Sequence, residues 1–275
     1  MVHSWNPTNH DTPPRGLVIL FHGLGGHGMY PTVRYLAELL VKHNFCVYCG
    51  DFCGHGQSKG RRGYIESLDV LLADANVIVD FAQQQHLYLP LFLGGVSLGG
   101  AVAIALSTTQ LKTQVSGLIL IAPMVSLDLP KWQCSALKRL HRISKTMVLF
   151  KPPPKYVELQ FRDDERKKEA EDDPYSYRGR MRIASALTCV ELCYKVQKDF
   201  HKVSTPMLTL MALEDCIIDN NGIDELMEKA SSIDKTLKEY YALHGMLCEV
   251  NPLRTEIEND IIEWLLQKTD GLFLI

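Results

Sequence analysis

The chain has 275 residues, which is long enough for one large domain or two small ones. Its 46% hydrophobic and 22% charged residues are ordinary for a globular protein and argue against disorder, a collagen-like fibre and a coiled coil. A net charge of −3 predicts no nucleic-acid partner. No apolar run approaches the ~20 residues that cross a bilayer, and no secretory signal is visible at the start. We therefore expect a cytoplasmic protein with reduced cysteines.

Short apolar runs alternate with segments of helix length along most of the chain. Strands are predicted at Gly16–His22, Phe45–Asp51, Leu89–Gly94, Val115–Ala122, Met207–Met211 and Leu237–Tyr241. Helices are predicted at Val33–His43, Leu68–Gln85, Leu98–Thr108, Ile223–Ala230 and Glu256–Gln267. Strands without apolar–polar alternation, each followed by a helix, indicate an α/β fold with a mainly parallel sheet and helices on both faces. Catalytic groups in such a fold belong at the carboxyl ends of the strands.

One stretch interrupts this alternation. Residues 127–195 show no clear strand, and the part from Lys131 to Val157 contains seven Lys or Arg and no acidic residue. Eight acidic and four basic residues follow between Glu158 and Asp173. We predict that 127–195 is an inserted helical cap over the strand ends, and that 1–126 and 196–275 form the α/β core.

The basic part of this cap has the pattern of an amphipathic helix. Apolar residues recur at steps of three and four, at Leu137, Leu140, Ile143 and Met147. Basic residues fill the intervening positions, at Lys138, Arg139, Arg142 and Lys145. A helix of this kind can lie on an anionic membrane, which predicts peripheral membrane contact through the cap. The alternative is that the leucines face inward as the roof of an acyl pocket and the bases are merely solvated.

The segment Gly95-Val96-Ser97-Leu98-Gly99 fits the pattern of a nucleophile elbow, a sharp turn from a strand into a helix that presents a serine. An apolar strand is predicted just before it and a helix rich in small residues just after it. Side chains at positions 95 and 99 would collide with neighbouring backbone, which accounts for the two glycines. The sequence therefore predicts Ser97 as a catalytic nucleophile.

A nucleophilic serine needs a histidine base and an acid that orients this base. His244 lies in the loop after the last predicted strand, and Asp215 lies in the loop after the preceding strand. Both positions agree with the chain order serine, acid, histidine that this fold uses. Asp219 and, more weakly, Glu214 stay open as alternatives for the acid.

The loop His22-Gly23-Leu24-Gly25 follows the first predicted strand, and its glycines permit a close approach to the serine. Two backbone N–H groups are needed to stabilise the oxyanion of the tetrahedral intermediate. We assign them to Leu24 and to Leu98, whose N–H lies at a helix N-terminus. His22 itself is interpreted as a structural hydrogen-bonding residue.

Two other groups of residues suggest metal sites but favour another interpretation. Cys46 and Cys49 look like half of a zinc site, but an odd spacing on a strand directs the two sulfurs to opposite faces. The segment from Asp51 to Ser58 combines Asp and His, and is typical of a tight loop held by hydrogen bonds between side chains and backbone. We predict neither a metal nor a cofactor.

With these residues assembled, the chain resembles the monoacylglycerol lipase and lysophospholipase branch of the α/β-hydrolases, most of all the plant-type group that includes caffeoylshikimate esterase. The matching segments are Trp5-Asn6-Pro7, His22-Gly23, Asp51 to Ser58, Gly63-Tyr64-Ile65, Gly95 to Ala101, Ala122-Pro123-Met124, Asp173-Pro174-Tyr175 with Gly179, Ser231 to Thr236, and His244-Gly245. The resemblance implies the α/β-hydrolase fold and an acyl pocket beneath the cap. It also implies a triad of Ser97, Asp215 and His244, with oxyanion donors at Leu24 and Leu98.

The chain departs from this family in two places. Family members carry a β-hairpin before the Trp-x-Pro segment, so this sheet is expected to lack its first strands and to expose an edge. The acid loop of the family has a glycine shortly before the aspartate, where this chain has Ala212-Leu213-Glu214. The second departure keeps Asp219 open as the acid.

The leading functional hypothesis is a serine carboxylester hydrolase that acts on single-acyl-chain lipids, monoacylglycerol or lysophospholipid, through an acyl-enzyme intermediate. The expected partner is a small acyl ester. The alternatives are a thioesterase or a hydroxycinnamoyl or aryl esterase on the same fold, because the fold does not determine the substrate. A non-catalytic binding domain is a further, weaker alternative.

Overall fold

The computed structural model describes residues 1–8, 12–109, 114–127, 130–150 and 156–270. Its strands, in chain order, are β1 (Val2–Trp5), β2 (Gly16–Phe21), β3 (Phe45–Gly50), β4 (Leu91–Val96), β5 (Val115–Ile121), β6 (Val148–Phe150), β7 (Met181–Arg182), β8 (Met207–Ala212) and β9 (Lys235–Tyr240). Seven of them form one sheet in the order β1-β3-β2-β4-β5-β8-β9. The pairing is parallel throughout this sheet except between β1 and β3. The predicted mainly parallel sheet is therefore confirmed.

Helices cover both faces of this sheet. They are α1 (Pro31–Lys42), α2 (Leu68–Gln85), α3 (Leu98–Ser107), α4 (Lys131–Ile143), α5 (Tyr156–Gln160), α6 (Asp164–Asp172), α7 (Ile183–Asp199), α8 (Asn221–Lys229) and α9 (Leu253–Thr269). Helices α2, α3, α7 and α8 bury apolar side chains in one core layer. Helices α1 and α9 bury theirs in the layer on the opposite face. The core therefore consists of two apolar layers with the sheet between them.

The strand sequences are apolar without alternation because successive side chains enter different layers. On β2, Leu17 and Ile19 lie in the α2–α3 layer, and Val18 lies in the α1–α9 layer. The same alternation separates the two cysteines of β3, since Cys46 lies in the first layer and Cys49 in the second. The prediction that their sulfurs lie on opposite faces of the sheet is confirmed.

Two strand predictions require correction. The sheet has a further strand before β2, because β1 pairs antiparallel with β3 and forms the edge of the sheet. The strand predicted at Leu89–Gly94 begins and ends two residues later, so that Val96 still belongs to β4 and the chain turns only at Ser97. Pro90 precedes this strand, and its carbonyl accepts a hydrogen bond from Leu17.

The segment between β5 and β8 contains α4, α5, α6 and α7, but it is not wholly helical. The expectation of no strand there is wrong, since β6 and β7 form a separate two-stranded antiparallel sheet. These strands are too short for an apolar pattern to indicate them, and their partners are distant in sequence. The predicted boundary after residue 195 lies inside α7, a helix that packs partly against α3. The division into core and cap stays a prediction.

Candidate active site

Ser97 occupies a strained turn between β4 and α3. Its backbone has φ 57° and ψ −119°, a left-handed conformation that a residue with a side chain rarely adopts. The turn is also crowded. A Cβ atom at Gly95 would lie 2.4 Å from the carbonyl carbon of Gly99, and one at Gly99 would lie 1.9 Å from the carbonyl oxygen of Phe21. The two glycines are therefore required by the close approach of backbone, as predicted.

The loops after β8 and β9 bring an acid and a base together. The Nδ1 atom of His244 and the Oδ2 atom of Asp215 are 2.5 Å apart, and both side chains are buried. The other carboxylate oxygen of Asp215 accepts hydrogen bonds from the N–H groups of Ile217 at 2.7 Å and Ile218 at 3.2 Å. These bonds fix the carboxylate in the orientation that holds Nδ1–H, which leaves Nε2 of His244 as the nitrogen able to accept a proton.

The other two acids considered for this role have different partners. Asp219 accepts a hydrogen bond from the hydroxyl of Ser126 at 2.9 Å through one oxygen. Its second oxygen accepts from the backbone and side chain of Asn221. Glu214 forms an ion pair with Arg162. Among the three acids, the described contacts connect only Asp215 to His244.

The loop after β2 lies beside the elbow. A Cβ atom at Gly23 would lie in van der Waals contact with the Cβ of Ser97, at 3.5 Å, so the loop passes directly beside the serine. Within the described part of the chain, the N–H groups of Leu24 and Leu98 have no hydrogen-bond partner. Unpaired N–H groups near a serine at a helix N-terminus are the features that an oxyanion hole requires.

His22 is held as a neutral structural group. Its Nδ1–H donates to the carbonyl of Gly23 at 2.8 Å, and its Nε2 accepts from the N–H of Phe52 at 3.1 Å. Complete burial, together with the nearby His55, lowers the pKa of His22 to about 3. Nδ1 thus holds the loop that follows β2, and Nε2 joins this loop to the one after β3, which agrees with the structural role predicted for His22.

The loop from Asp51 to Ser58 is also held as predicted. The carboxylate of Asp51 accepts hydrogen bonds from the N–H groups of Gly28 and Gln57, each at 2.8 Å, and lies 3.0 Å from Nε2 of His3. Burial alone would raise the pKa of Asp51, but these three partners hold it well below its usual range. Asp51 therefore fastens the loop that contacts His22.

Sequence reasoning missed two charged residues next to the acid and base. Glu249 is buried, and its carboxylate accepts a hydrogen bond from the N–H of Leu243 at 2.7 Å. Arg162 lies 3.1 Å from the same carboxylate. The one signal in the sequence is an acid shortly after His244 in a segment that is otherwise apolar. The arginine belongs to the segment between β5 and β8, and sequence spacing does not connect it to this position.

The site combines a serine elbow, an acid–histidine pair on the loops after β8 and β9, and two N–H groups without a partner among the described residues. These features define the class of α/β-hydrolase-fold serine hydrolases. The family model Hydrolase_4, described as serine aminopeptidase, S33, matches residues 12–251. The chain therefore belongs to this family.

Known relatives agree with this assignment. Monoglyceride lipase of Homo sapiens is 31% identical over 96% of this chain and 86% of its own length. Caffeoylshikimate esterase of Arabidopsis thaliana is 26% identical over 92% of this chain and 78% of its own length. The crystal structure of Paleococcus ferrophilus monoacylglycerol lipase superposes with a TM-score of 0.82 at 27% identity and covers 98% of each chain. The chain is thus an enzyme of the carboxylester hydrolase class.

Proposed function

We propose that this enzyme hydrolyses esters of one long acyl chain, either monoacylglycerol or lysophospholipid, with Ser97, His244 and Asp215 as its catalytic triad. The observation that carries the triad is the 2.5 Å contact between His244 and Asp215 on the loops that follow β9 and β8. The similarity to monoglyceride lipases over most of both chains supports the substrate class.

The proposed reaction has two halves. In the first, Nε2 of His244 accepts the hydroxyl proton of Ser97 while Oγ attacks the ester carbonyl. Asp215 stabilises the resulting imidazolium, and the N–H groups of Leu24 and Leu98 stabilise the oxyanion. Collapse of the tetrahedral intermediate breaks the bond to the alcohol oxygen, which takes the proton from His244. In the second half, water attacks the acyl-enzyme by the same steps and releases the fatty acid.

A hydrolysis panel tests this proposal. It contains a long-chain monoacylglycerol, a lysophospholipid, an acyl-CoA thioester and a hydroxycinnamoyl ester. We expect the single-chain lipid esters to give the highest kcat/KM, and we expect a fluorophosphonate to label Ser97. A preference for the hydroxycinnamoyl ester would instead favour the activity that the name of the Arabidopsis relative describes.

The matched control for this panel is Ser97→Ala. We expect it to lose several orders of magnitude in turnover, because only the oxyanion donors and substrate binding are left. Activity of folded Ser97→Ala close to that of the wild type would remove Ser97 as the nucleophile.

We also propose that α4 contacts a lipid surface. The side chains of Trp132 and Ile143 are 70% and 78% exposed. Four exposed basic residues lie near them, at Lys138, Arg139, Arg142 and Lys145. Leu137 faces the other way, since it is buried with Val190 of α7. Apolar and basic groups together on one exposed surface are what an interfacial helix requires. Leu137 thus faces inward, as in the second interpretation of the sequence pattern. Trp132 and Ile143, at the two ends of α4, face outward, as the membrane interpretation requires.

The proposed location is the cytoplasm, with α4 as the peripheral membrane contact. All eight cysteines are free thiols, which suits a reducing compartment. In the described part of the chain, no helix combines the length and the apolar character needed to cross a membrane.

A further inference from the structure

The last residue of α5 and the two that follow it contact the histidine loop, and we call Gln160–Arg162 the anchor segment. The carbonyl of Gln160 accepts a hydrogen bond from the N–H of Gly245 at 2.8 Å. A Cβ atom at Gly245 would lie 2.6 Å from this carbonyl oxygen and 2.6 Å from the ring of Phe161. The anchor segment therefore packs directly on the residue that follows His244.

The residue that precedes His244 is held from the other side. Glu249 is 2% exposed, and its Oε1 atom accepts the hydrogen bond from Leu243 N–H at 2.7 Å. Its Oε2 atom accepts one from Nε–H of Arg162 at 3.1 Å. A buried carboxylate persists only where such partners replace water. Arg162 thus supplies a cationic partner for the buried carboxylate that contacts Leu243.

Arg162 also reaches the acid loop. Its Nη2 atom donates to the carboxylate of Glu214, the residue directly before Asp215. The N–H of Glu214 donates in turn to the carbonyl of Ala242 at 3.1 Å, in the histidine loop. One guanidinium therefore joins the two loops at positions next to the acid and the base.

We infer that Arg162 and Glu249 are positioning residues that hold His244 in register with Asp215. The inference rests on the proposed triad and extends it. A planar guanidinium binds two carboxylates in a fixed geometry, which a flexible side chain with a single charged nitrogen reproduces only in part. The anchor segment lies between β5 and β8, so the alignment of the triad depends on this segment as well as on the sheet.

The test compares Arg162→Met with Arg166→Met. Arg166 is a suitable control because it lies on α6, forms its ion pairs with Glu165 and Glu169, and makes no hydrogen bond to either loop among the described residues. Each variant is assayed with p-nitrophenyl butyrate below its melting temperature. The value of kcat is expressed per active site titrated with a fluorophosphonate, which corrects for any unfolded fraction.

We expect Arg162→Met to lower kcat per titrated site by about tenfold to 10²-fold, because small misplacements of a catalytic group have effects of this size. The KM of the short ester should stay within about twofold, since ground-state binding is untouched. Arg166→Met should match the wild type. Arg162→Lys should recover part of the lost kcat, because it returns a charge to Glu249.

The double variant Arg162→Met/Glu249→Gln keeps the inference testable if a lone buried Glu249 destabilises the fold. We expect its kcat to equal that of Arg162→Met, because both changes break the same connection. A kcat per titrated site equal to that of Arg166→Met, in the single or the double variant, would overturn the positioning role and leave the triad standing. Activity of folded Ser97→Ala close to that of the wild type would instead contradict the proposed function.

Discussion

Asp215 and Asp219 lie in one loop, yet their carboxylates have different tasks. Asp215 contacts His244, whereas Asp219 binds Ser126 and Asn221 and so stabilises the start of α8. The sequence favours Asp215 but leaves Asp219 open, because both residues follow β8 in the chain. The position of the histidine ring decides between them, and this position results from contacts between distant segments.

This difference gives a first prediction. Asp215→Asn should lower kcat on the order of 10⁴-fold, because an amide cannot stabilise the imidazolium and favours the wrong tautomer. Asp219→Asn should stay close to the wild type. Steady-state kinetics of the two purified variants provide the measurement. The assignment is wrong if Asp219→Asn is the variant that loses activity.

His22 provides a second prediction, which concerns stability at acid pH. The pKa of His22 is about 3 in the folded protein, below its ordinary value of 6.5, because burial penalises the charged form. The unfolded chain therefore binds a proton below pH 6.5 that the folded chain does not. The contribution of neutral His22 to the free energy of unfolding is therefore fully present above pH 6.5. It is lost at about 1.4 kcal/mol per pH unit as the pH falls toward 3.

Denaturant titrations between pH 7 and pH 4 check this effect. The wild type should lose stability more steeply than His22→Gln, which has lower stability at pH 7 but no imidazole to protonate. His201→Gln is the control, since His201 is exposed. Equal slopes for the wild type and His22→Gln would show that His22 does not cause the loss.

At the scale of elements, the turn from β4 to α3 depends on backbone contact with β2. Gly99→Ala would place a methyl group 1.9 Å from the carbonyl oxygen of Phe21. Neither partner can move freely, because one lies in the sheet and the other in α3. We expect a loss of at least about 3 kcal/mol in the free energy of unfolding, the upper range for overpacking.

Gly94→Ala serves as the control for this turn. Gly94 lies on β4, the strand that leads into this turn, and its methyl group would meet nothing closer than 3.1 Å. Urea denaturation should show a clearly smaller loss for this variant. Similar losses for the two variants would mean that the space around β4, and not the elbow, limits the residue type at both positions.

The elements that the sequence predicted well are those whose burial is uniform. Strand β2 and helix α2 were predicted to within a residue, because both bury apolar residues in a continuous layer. Strand β1 was missed, since Val2–Trp5 is half exposed and has no apolar run. The two-stranded sheet of β6 and β7 was missed because its pairing joins residues far apart in sequence.

The same distinction applies to the site. Ser97 and His244 follow rules of local pattern and chain order, so the sequence alone proposed them. Arg162 and Glu249 have no local pattern, and their relation exists only once α5 packs on the histidine loop. Contacts that depend on distant segments are beyond a reading based on periodicity and motif spacing.

At the scale of the whole molecule, α4 provides a fourth prediction. The enzyme should co-sediment with vesicles of phosphatidylglycerol and phosphatidylcholine at low salt. It should bind much less at 1 M salt, where the Debye length falls to about 3 Å and the basic residues are screened. Trp132→Glu should weaken binding, because it removes an exposed apolar side chain from this surface.

Ile233→Glu is the control for the vesicle experiment, since Ile233 is fully exposed but lies outside α4. It should bind as the wild type does. Negligible binding of the wild type at both salt concentrations would exclude the lipid contact of α4, whereas the proposed ester hydrolysis would be unaffected.

Strands β5 and β8 are hydrogen-bonded neighbours, although residues 122–206 separate them in the chain. The chain therefore leaves the sheet after β5 and re-enters it as β8, directly beside β5. Helix α7, the last α-helix of this stretch, packs partly against α3 beside the sheet. A graft that replaces residues 127–182 would exchange one continuous piece and leave β4, β8 and β9 untouched. Such a graft has to keep Arg162 and its contacts with Glu214 and Glu249, because these contacts join the loops that carry Asp215 and His244.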